Sequence, residues 1–162
     1  MHIVICSDIH DNIWKLDTML HQAAGCGALI FCGDFCAPFT LSQIGEGFAG
    51  PVHVVWGNND GDKWLLTRNA HASGNVTLHG DFAELEIGGR SIAVNHYPGI
   101  AAPLAASQVY DAVFYGHDHT PRNERIGPTL LLNPGEVMGR LGKSTFALYD
   151  TETGEGSFHE IR

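Results

Sequence analysis

Asp8 and His10 follow the apolar run His2–Cys6, and Asp34 follows Ala28–Cys32. Asn58, Asn59 and Asp60 follow Val52–Trp56, His96 follows Ile92–Val94, and His117 and His119 follow Val113–Tyr115. Each run has strand length, so carboxylate, amide and imidazole groups stand at five strand ends. In α/β sheets ligands bind in the crevice beyond the carboxyl ends of the strands, where groups scattered along the chain can converge. Carboxylate, amide oxygen and imidazole without cysteine suit a borderline divalent ion such as Mn²⁺, Zn²⁺, Fe²⁺ or Ni²⁺. The groups suffice for two ions. Two ions about 3.5–4 Å apart need a shared carboxylate, and Asp34, alone between neighbouring sites, is the natural bridge.

Taken singly, these motifs are weak. Asp-x-His is more often a helix cap beside a surface histidine, and Gly33-Asp34 and Asn58-Asn59-Asp60 read as turns. The ordered set, each member at a strand end, is what points to a metal centre. Gly33, Gly57 and Gly116 each stand directly before one of these polar groups, as expected where the backbone turns sharply and approaches a ligand closely.

The elements that position this chemistry are legible as apolar runs. A helix follows the first strand, with Ile13, Leu16, Leu20 and Ala24 at helical spacing behind Asp11 as N-cap. The first third reads as β-α-β-α-β, and a polar helix is expected over Asp62–Ala72. Phe82, Leu85 and Ile87 interleave with Glu84 and Glu86, and Gly88-Gly89 turns into Ser91–Val94, an antiparallel hairpin. Further strands are expected at Ala112–Tyr115, Thr129–Leu132, Thr145–Tyr149 and Gly156–Glu160. Parallel units early and hairpins late predict two packed sheets with helices outside.

With 162 residues, 44% hydrophobic, the chain suits one domain spanning 1–162. Eighteen acidic against nine basic residues give a net charge of −9, which repels nucleic acid and anionic membranes. Two dications against Asp8 and Asp34 would leave a local excess of about +2, enough to draw in phosphate. No signal peptide is visible, and no apolar run approaches the about 20 residues a bilayer takes. Cys6, Cys26, Cys32 and Cys36 read as reduced thiols, which fits a cytoplasmic protein.

In these motifs the chain resembles the calcineurin-like metallophosphoesterases, specifically a small bacterial and archaeal phosphodiesterase branch. The motifs are Asp8-Ile9-His10, Gly33-Asp34, Gly57-Asn58-Asn59-Asp60, Asn95-His96 and Gly116-His117-Asp118-His119, with Ser7, Asn12 and Asn133-Pro134-Gly135 also fitting. The resemblance covers essentially the whole chain. It implies an αββα sandwich of two mixed sheets. It also implies one ion on Asp8, His10, Asp34 and His119 and a second on Asp34, Asn58, His96 and His117, with Mn²⁺ the leading candidate.

Many relatives carry a histidine where this chain has Asn59, and an amide cannot transfer a proton near neutral pH. That leaves the leaving group's proton to Asp60 or a metal-bound water. The implied activity is hydrolysis of small phosphodiesters by in-line attack of a metal-bridging hydroxide, with Asn58, Asn59, Asp60 and His96 around the reacting phosphate. A phosphomonoesterase is the nearest alternative. A non-catalytic scaffold resembling the retromer sorting subunit is the rival of another class, against which the complete ligand set argues. The protein is expected to act as a monomer or small homo-oligomer.

The remaining histidines, at 2, 21, 53, 71, 79 and 159, have no motif around them and read as surface or core. Cys32 and Cys36 read as packing, and Glu84 and Glu86 as a solvated strand face. Gly99–Ala106 reads equally as a helical cap or as a contact for substrate or a second subunit. Trp14 and Trp64 read as packing on their own sheet, with an interface as the alternative.

Overall fold

The computed structural model describes residues 1–162. Parallel strands β1 (His2–Cys6), β2 (Ala28–Phe31), β3 (Val52–Val54) and β4 (Val76–Leu78) are joined by helices α1 (Ile13–Gln22), α2 (Pro38–Gly47) and α3 (Lys63–Ser73). A hairpin, β5 (Phe82–Ile87) and β6 (Arg90–Asn95), leads through α4 (Pro98–Ser107) to β7 (Ala112–Phe114). β8 (Arg122–Ile126) and β9 (Thr129–Asn133) follow, then the closing hairpin of β10 (Thr145–Asp150) and β11 (Glu155–Glu160). One sheet has the order β11-β10-β1-β2-β3-β4, the other β5-β6-β7-β9-β8.

Alternation along the strands builds the layers. Val4 and Cys6 of β1 face α1, α2 and α3, whereas Ile3 and Ile5 face the second sheet. Ile92 and Val94 of β6 meet them between the sheets, and Ala93 turns outward to Ala101 and Ala105 of α4. The result is α/β/β/α layering, as expected from the sequence.

Several details differ from expectation. Asn12, not Asp11, caps α1, accepting from Lys15 N, while Asp11 reaches across to Ala37 N and the Thr40 hydroxyl. The buried stripe of α1 is Leu16, Met19, Leu20 and Ala23; Ala24 lies past the helix end and is exposed. The late part of the chain is not all hairpins, because β6, β7 and β9 run parallel. β4 and β8 were not anticipated: one is three residues long, and the other is a charged, exposed edge strand whose sequence avoids apolar alternation. Gly99–Ala106 lies within α4, against the second sheet. Trp14 and Trp64 are exposed at the starts of α1 and α3 instead of packing on the sheet. No helix is long and apolar enough to cross a membrane.

Candidate metal centre

The carboxyl ends of β1, β2, β3, β6 and β7 meet on one side of the sandwich, and the loops leaving them are stitched together. Asp8 N and Ile9 N donate to the Gly33 and Asp34 carbonyls, and Gly116 N donates to the His96 carbonyl. His117 N crosses between sheets to Asp8 Oδ2. Asp8, His10, Asp34, His117 and His119 all have left-handed backbones, with φ between 44° and 75°. Strain of that kind persists only where the surroundings over-determine it, and it gathers at functional sites.

The side chains so placed form two overlapping groups, Asp8–His10–His119 and Asp8–Asp34–His96, whose ligand atoms lie within 4.8 Å of one another in each group. His10 Nε2 stands 3.6 Å from both Asp8 Oδ1 and Asp34 Oδ2, His119 Nε2 stands 3.5 Å from Asp8 Oδ1, and His96 Nε2 stands 3.4 Å from Asp34 Oδ2. These separations are those of ion pairs, too long for hydrogen bonds. Ligands about 2.0–2.2 Å from a shared ion stand roughly 3–3.5 Å apart. Asp8 Oδ1 and His10 Nε2 are buried with no hydrogen-bond partner, a costly state that a cation between them would relieve. The residues therefore fit a divalent ion.

Asn58 and His117 lie at the edge of this cluster. Asn58 Oδ1 is 3.2 Å from His96 Nε2, and the exposed His117 ring packs edge-on to His96 and Tyr97 with centroids 5.0 and 5.1 Å away.

Each inward nitrogen is aimed by what holds the other nitrogen of its ring. His96 Nδ1 donates to the Cys32 carbonyl at 2.7 Å, His119 Nδ1 meets Glu136 Oε2 at 2.7 Å, and His10 Nδ1 faces Cys36 Sγ at 3.5 Å. Burial and the surrounding carboxylates push the Cys36 thiol up to about 12, so it faces His10 as a neutral thiol. Cys32 packs between the sheets as expected and lends His96 only its carbonyl, whereas the Cys36 thiol adds a contact to His10.

The Asn58–Asp60 loop departs furthest from expectation. Asp60 is buried and accepts from four backbone N–H groups, of Phe35 and Cys36 on Oδ1 and of Asp34 and Gly57 on Oδ2. This carboxylate clamps two loops, and with both oxygens engaged by backbone N–H groups it fits a structural role better than the proton-donor role expected of it. Asn59 gives both its N–H and its Nδ2 to Asp34, at 2.8 Å each. Burial disfavours charge on Asp34, yet the His96 ring beside it and the two hydrogen bonds from Asn59 outweigh it and hold its carboxyl well below the usual range. The accessory motifs also find partners here. Ser7 Oγ donates to the Gly33 carbonyl, Asn12 Nδ2 to the Met138 carbonyl, and Asn133 Nδ2 to the Gly116 carbonyl and Asp118.

Glu136 is the residue that sequence reading missed. Its only signal is a single acid inside the stretch Thr129–Val137, every residue of which is buried. His53 and His79, read as isolated, pair through Nδ1 and Nε2 at 3.0 Å.

Charge in this cluster makes metal-free stability depend on pH. The Asp8 carboxylate raises the His10 pKa; burial opposes a charge on His96, but Asp34 and the Cys32 carbonyl outweigh it and raise that one as well. A histidine with a higher pKa folded than unfolded contributes stability that is complete below about 6.5 and lost as pH rises through the folded value. Burial lowers the pKa values of His53 and His79, so their contribution has the opposite sign and is complete above about 6.5. Between pH 7 and 8 the melting temperature of metal-free protein is therefore expected to fall, whereas ion affinity rises as protons leave the ligands. Thermal melts with and without Mn²⁺ check this, and a metal-free melt that climbs from pH 7 to 8 would contradict it.

Comparison with known proteins bears on family and fold. The model of the calcineurin-like phosphoesterase superfamily domain matches residues 1–154. A phosphodiesterase of Methanocaldococcus jannaschii is 29% identical over 160 residues, 96% of each chain. The solved structure of a novel archaeal phosphodiesterase superposes with a TM-score of 0.92 at 28% identity, covering 99% of this chain and 100% of the other. Vps29 of Entamoeba histolytica, solved with Zn²⁺, superposes with a TM-score of 0.69 at 18% identity over 99% of this chain and 98% of the other, a likeness of fold alone.

Proposed function

The chain belongs to the calcineurin-like phosphoesterase superfamily and is a metal-dependent phosphoric ester hydrolase; on that premise we propose that it cleaves small phosphodiesters using two divalent ions. The observation that carries this reading is the convergence of Asp8 Oδ1, His10 Nε2, His119 Nε2, Asp34 Oδ2 and His96 Nε2, two of them buried and otherwise unpartnered. Asp8, His10 and His119 would hold one ion, and His96, Asn58 and His117 the other, with Asp34 shared. Mn²⁺ is the ion we favour, with Zn²⁺, Fe²⁺ and Ni²⁺ as competitors. When bound, such ions supply Lewis acidity and a water acidified enough to attack phosphorus at neutral pH.

The chain's own groups do the rest. His117 and Asn58 are exposed at the mouth, where an imidazole N–H and an amide N–H can hold phosphoryl oxygens. Asp34, fixed by Asn59, and Asp8, fixed by the His117 N–H, are pre-positioned before substrate arrives. Burying an unpaired carboxylate oxygen and ring nitrogen costs stability in a protein that holds no ion, which argues against a scaffold that binds none.

The reading favours diesters over monoesters. With Asn59 bound to Asp34 and Asp60 locked by backbone N–H groups, neither side chain of that loop is free to protonate a departing oxygen. With p-nitrophenyl substrates and one metal, kcat/KM for the diester is expected to exceed that for the monoester by at least tenfold, about 1.4 kcal/mol. A clear monoester preference would overturn the substrate class.

A further inference from the structure

We propose that Glu136 is a positioning residue of the metal centre: it sets the tautomer of His119 and ties that ligand to the loop Met138–Lys143. The proposal deepens the two-ion reading and rests on it. Glu136 follows β9 and is fully buried, and its two oxygens serve different masters. Oε2 lies 2.7 Å from His119 Nδ1, and Oε1 accepts from Leu141 N at 2.6 Å and Gly142 N at 2.7 Å.

Because a carboxylate can only accept, Nδ1 of His119 must carry the proton, leaving the Nε2 lone pair free to face Asp8 Oδ1. His119 needs such an anchor, since its backbone is left-handed and its ring is otherwise held by stacking on His10 at 5.3 Å. The other half of the carboxylate fixes the loop. Ser144 Oγ closes the loop's base on the Val137 carbonyl, and Met138 N lies on the Asp8 carbonyl. The same loop carries exposed Arg140 and Leu141. Movement of the loop is therefore felt at His119, and loss of His119's orientation is felt in the loop.

Glu136→Gln separates this role from simple packing, because the amide is nearly isosteric but half donor. If its oxygen keeps Leu141 and Gly142, its NH₂ faces His119 Nδ1 and drives the proton to Nε2, which then cannot ligate. If it turns round, two backbone N–H groups face an NH₂ and the loop is released. Ring ¹⁵N NMR of metal-free protein reads the tautomer directly, and titration with Mn²⁺ against a chromophoric chelator reads each affinity.

The expected wild-type result is an Nδ1–H tautomer at His119 and two bound ions. In Glu136→Gln, one ion is expected to bind 10–100-fold more weakly, the other to stay within about twofold, and either His119 to switch tautomer or the Leu141 and Gly142 amides to lose protection from hydrogen exchange. An Nε2–H tautomer in metal-free wild type would overturn the proposal with no variant needed, as would a Glu136→Gln protein with both affinities unchanged. Wild type that binds no ion would overturn the two-ion reading and this proposal with it; an Nδ1–H tautomer alongside would place the fault in the metal reading.

Discussion

Asp34→Asn is expected to lower turnover at least a thousandfold, about 4 kcal/mol, and to cost more bound metal than any other single ligand change. Asp34 stands 3.6 Å from His10 and 3.4 Å from His96, one histidine from each proposed ion's ligand set. An asparagine keeps its volume but removes one of the two buried negative charges that hold the ions together. It also turns an NH₂ either on Asn59 N–H or on Asn59 Nδ2 and the two histidine nitrogens together. His119→Ala, by contrast, strips one group and leaves Asp34 and His96 in place. Metal analysis after dialysis against Mn²⁺, together with turnover, compares the two variants. Two ions and near-normal turnover in Asp34→Asn would show that Asp34 is not the shared ligand.

Gly57→Ala is expected to lower turnover about a hundredfold and to destabilise the fold by about 1–3 kcal/mol, although position 57 contacts no substrate. A methyl at Gly57 would overlap Asp34 Oδ1 and lie 2.6 Å from Asp34 N. The backbone there cannot retreat, because Gly57 N is held at 2.7 Å by the same Asp60 carboxylate that grips the Asp34–Cys36 loop. The shared ligand itself must shift. Gly116→Ala would act similarly on the other loop, overlapping Ser7 Oγ and reaching within 2.7 Å of Asp8 Oδ2. Gly99→Ala is the control: its methyl meets nothing within 4 Å, and on α4 it should be neutral or slightly stabilising. Wild-type turnover and melting in Gly57→Ala would mean that the close approach is not needed.

These glycines show how far the sequence carries. That Gly33, Gly57 and Gly116 each precede a site residue was legible and implied close approach, but what they approach at Gly57 and Gly116 is a neighbouring ligand side chain, not a bound molecule. The strands were legible because runs such as Ile3–Cys6 and Leu29–Phe31 are buried on both faces and so carry no polar interruption. β8 was not, since Arg122–Ile126 pairs through its backbone at an exposed edge and leaves its side chains free to be charged. Asp11 and Asn12 illustrate a second limit. Both can cap a helix, and the choice fell to Asn12 because Asp11 is drawn to Thr40 and Ala37, partners 29 and 26 residues away. Glu136 and Asp60 illustrate a third: Asp60 closes the motif Gly57–Asp60 and Glu136 follows Asn133-Pro134-Gly135, but each works through hydrogen bonds from other loops, and no periodicity announces those partners.

The most direct test of a two-ion phosphodiesterase is one titration. Metal-free protein receives Mn²⁺ while bound ions per chain and hydrolysis of bis(p-nitrophenyl) phosphate are followed together. Hydrolysis that rises to its plateau as the second ion binds, and disappears on chelation, is the predicted result. A plateau reached at one ion, hydrolysis indifferent to chelator, or a fully folded protein that binds no ion and turns over no diester would contradict it.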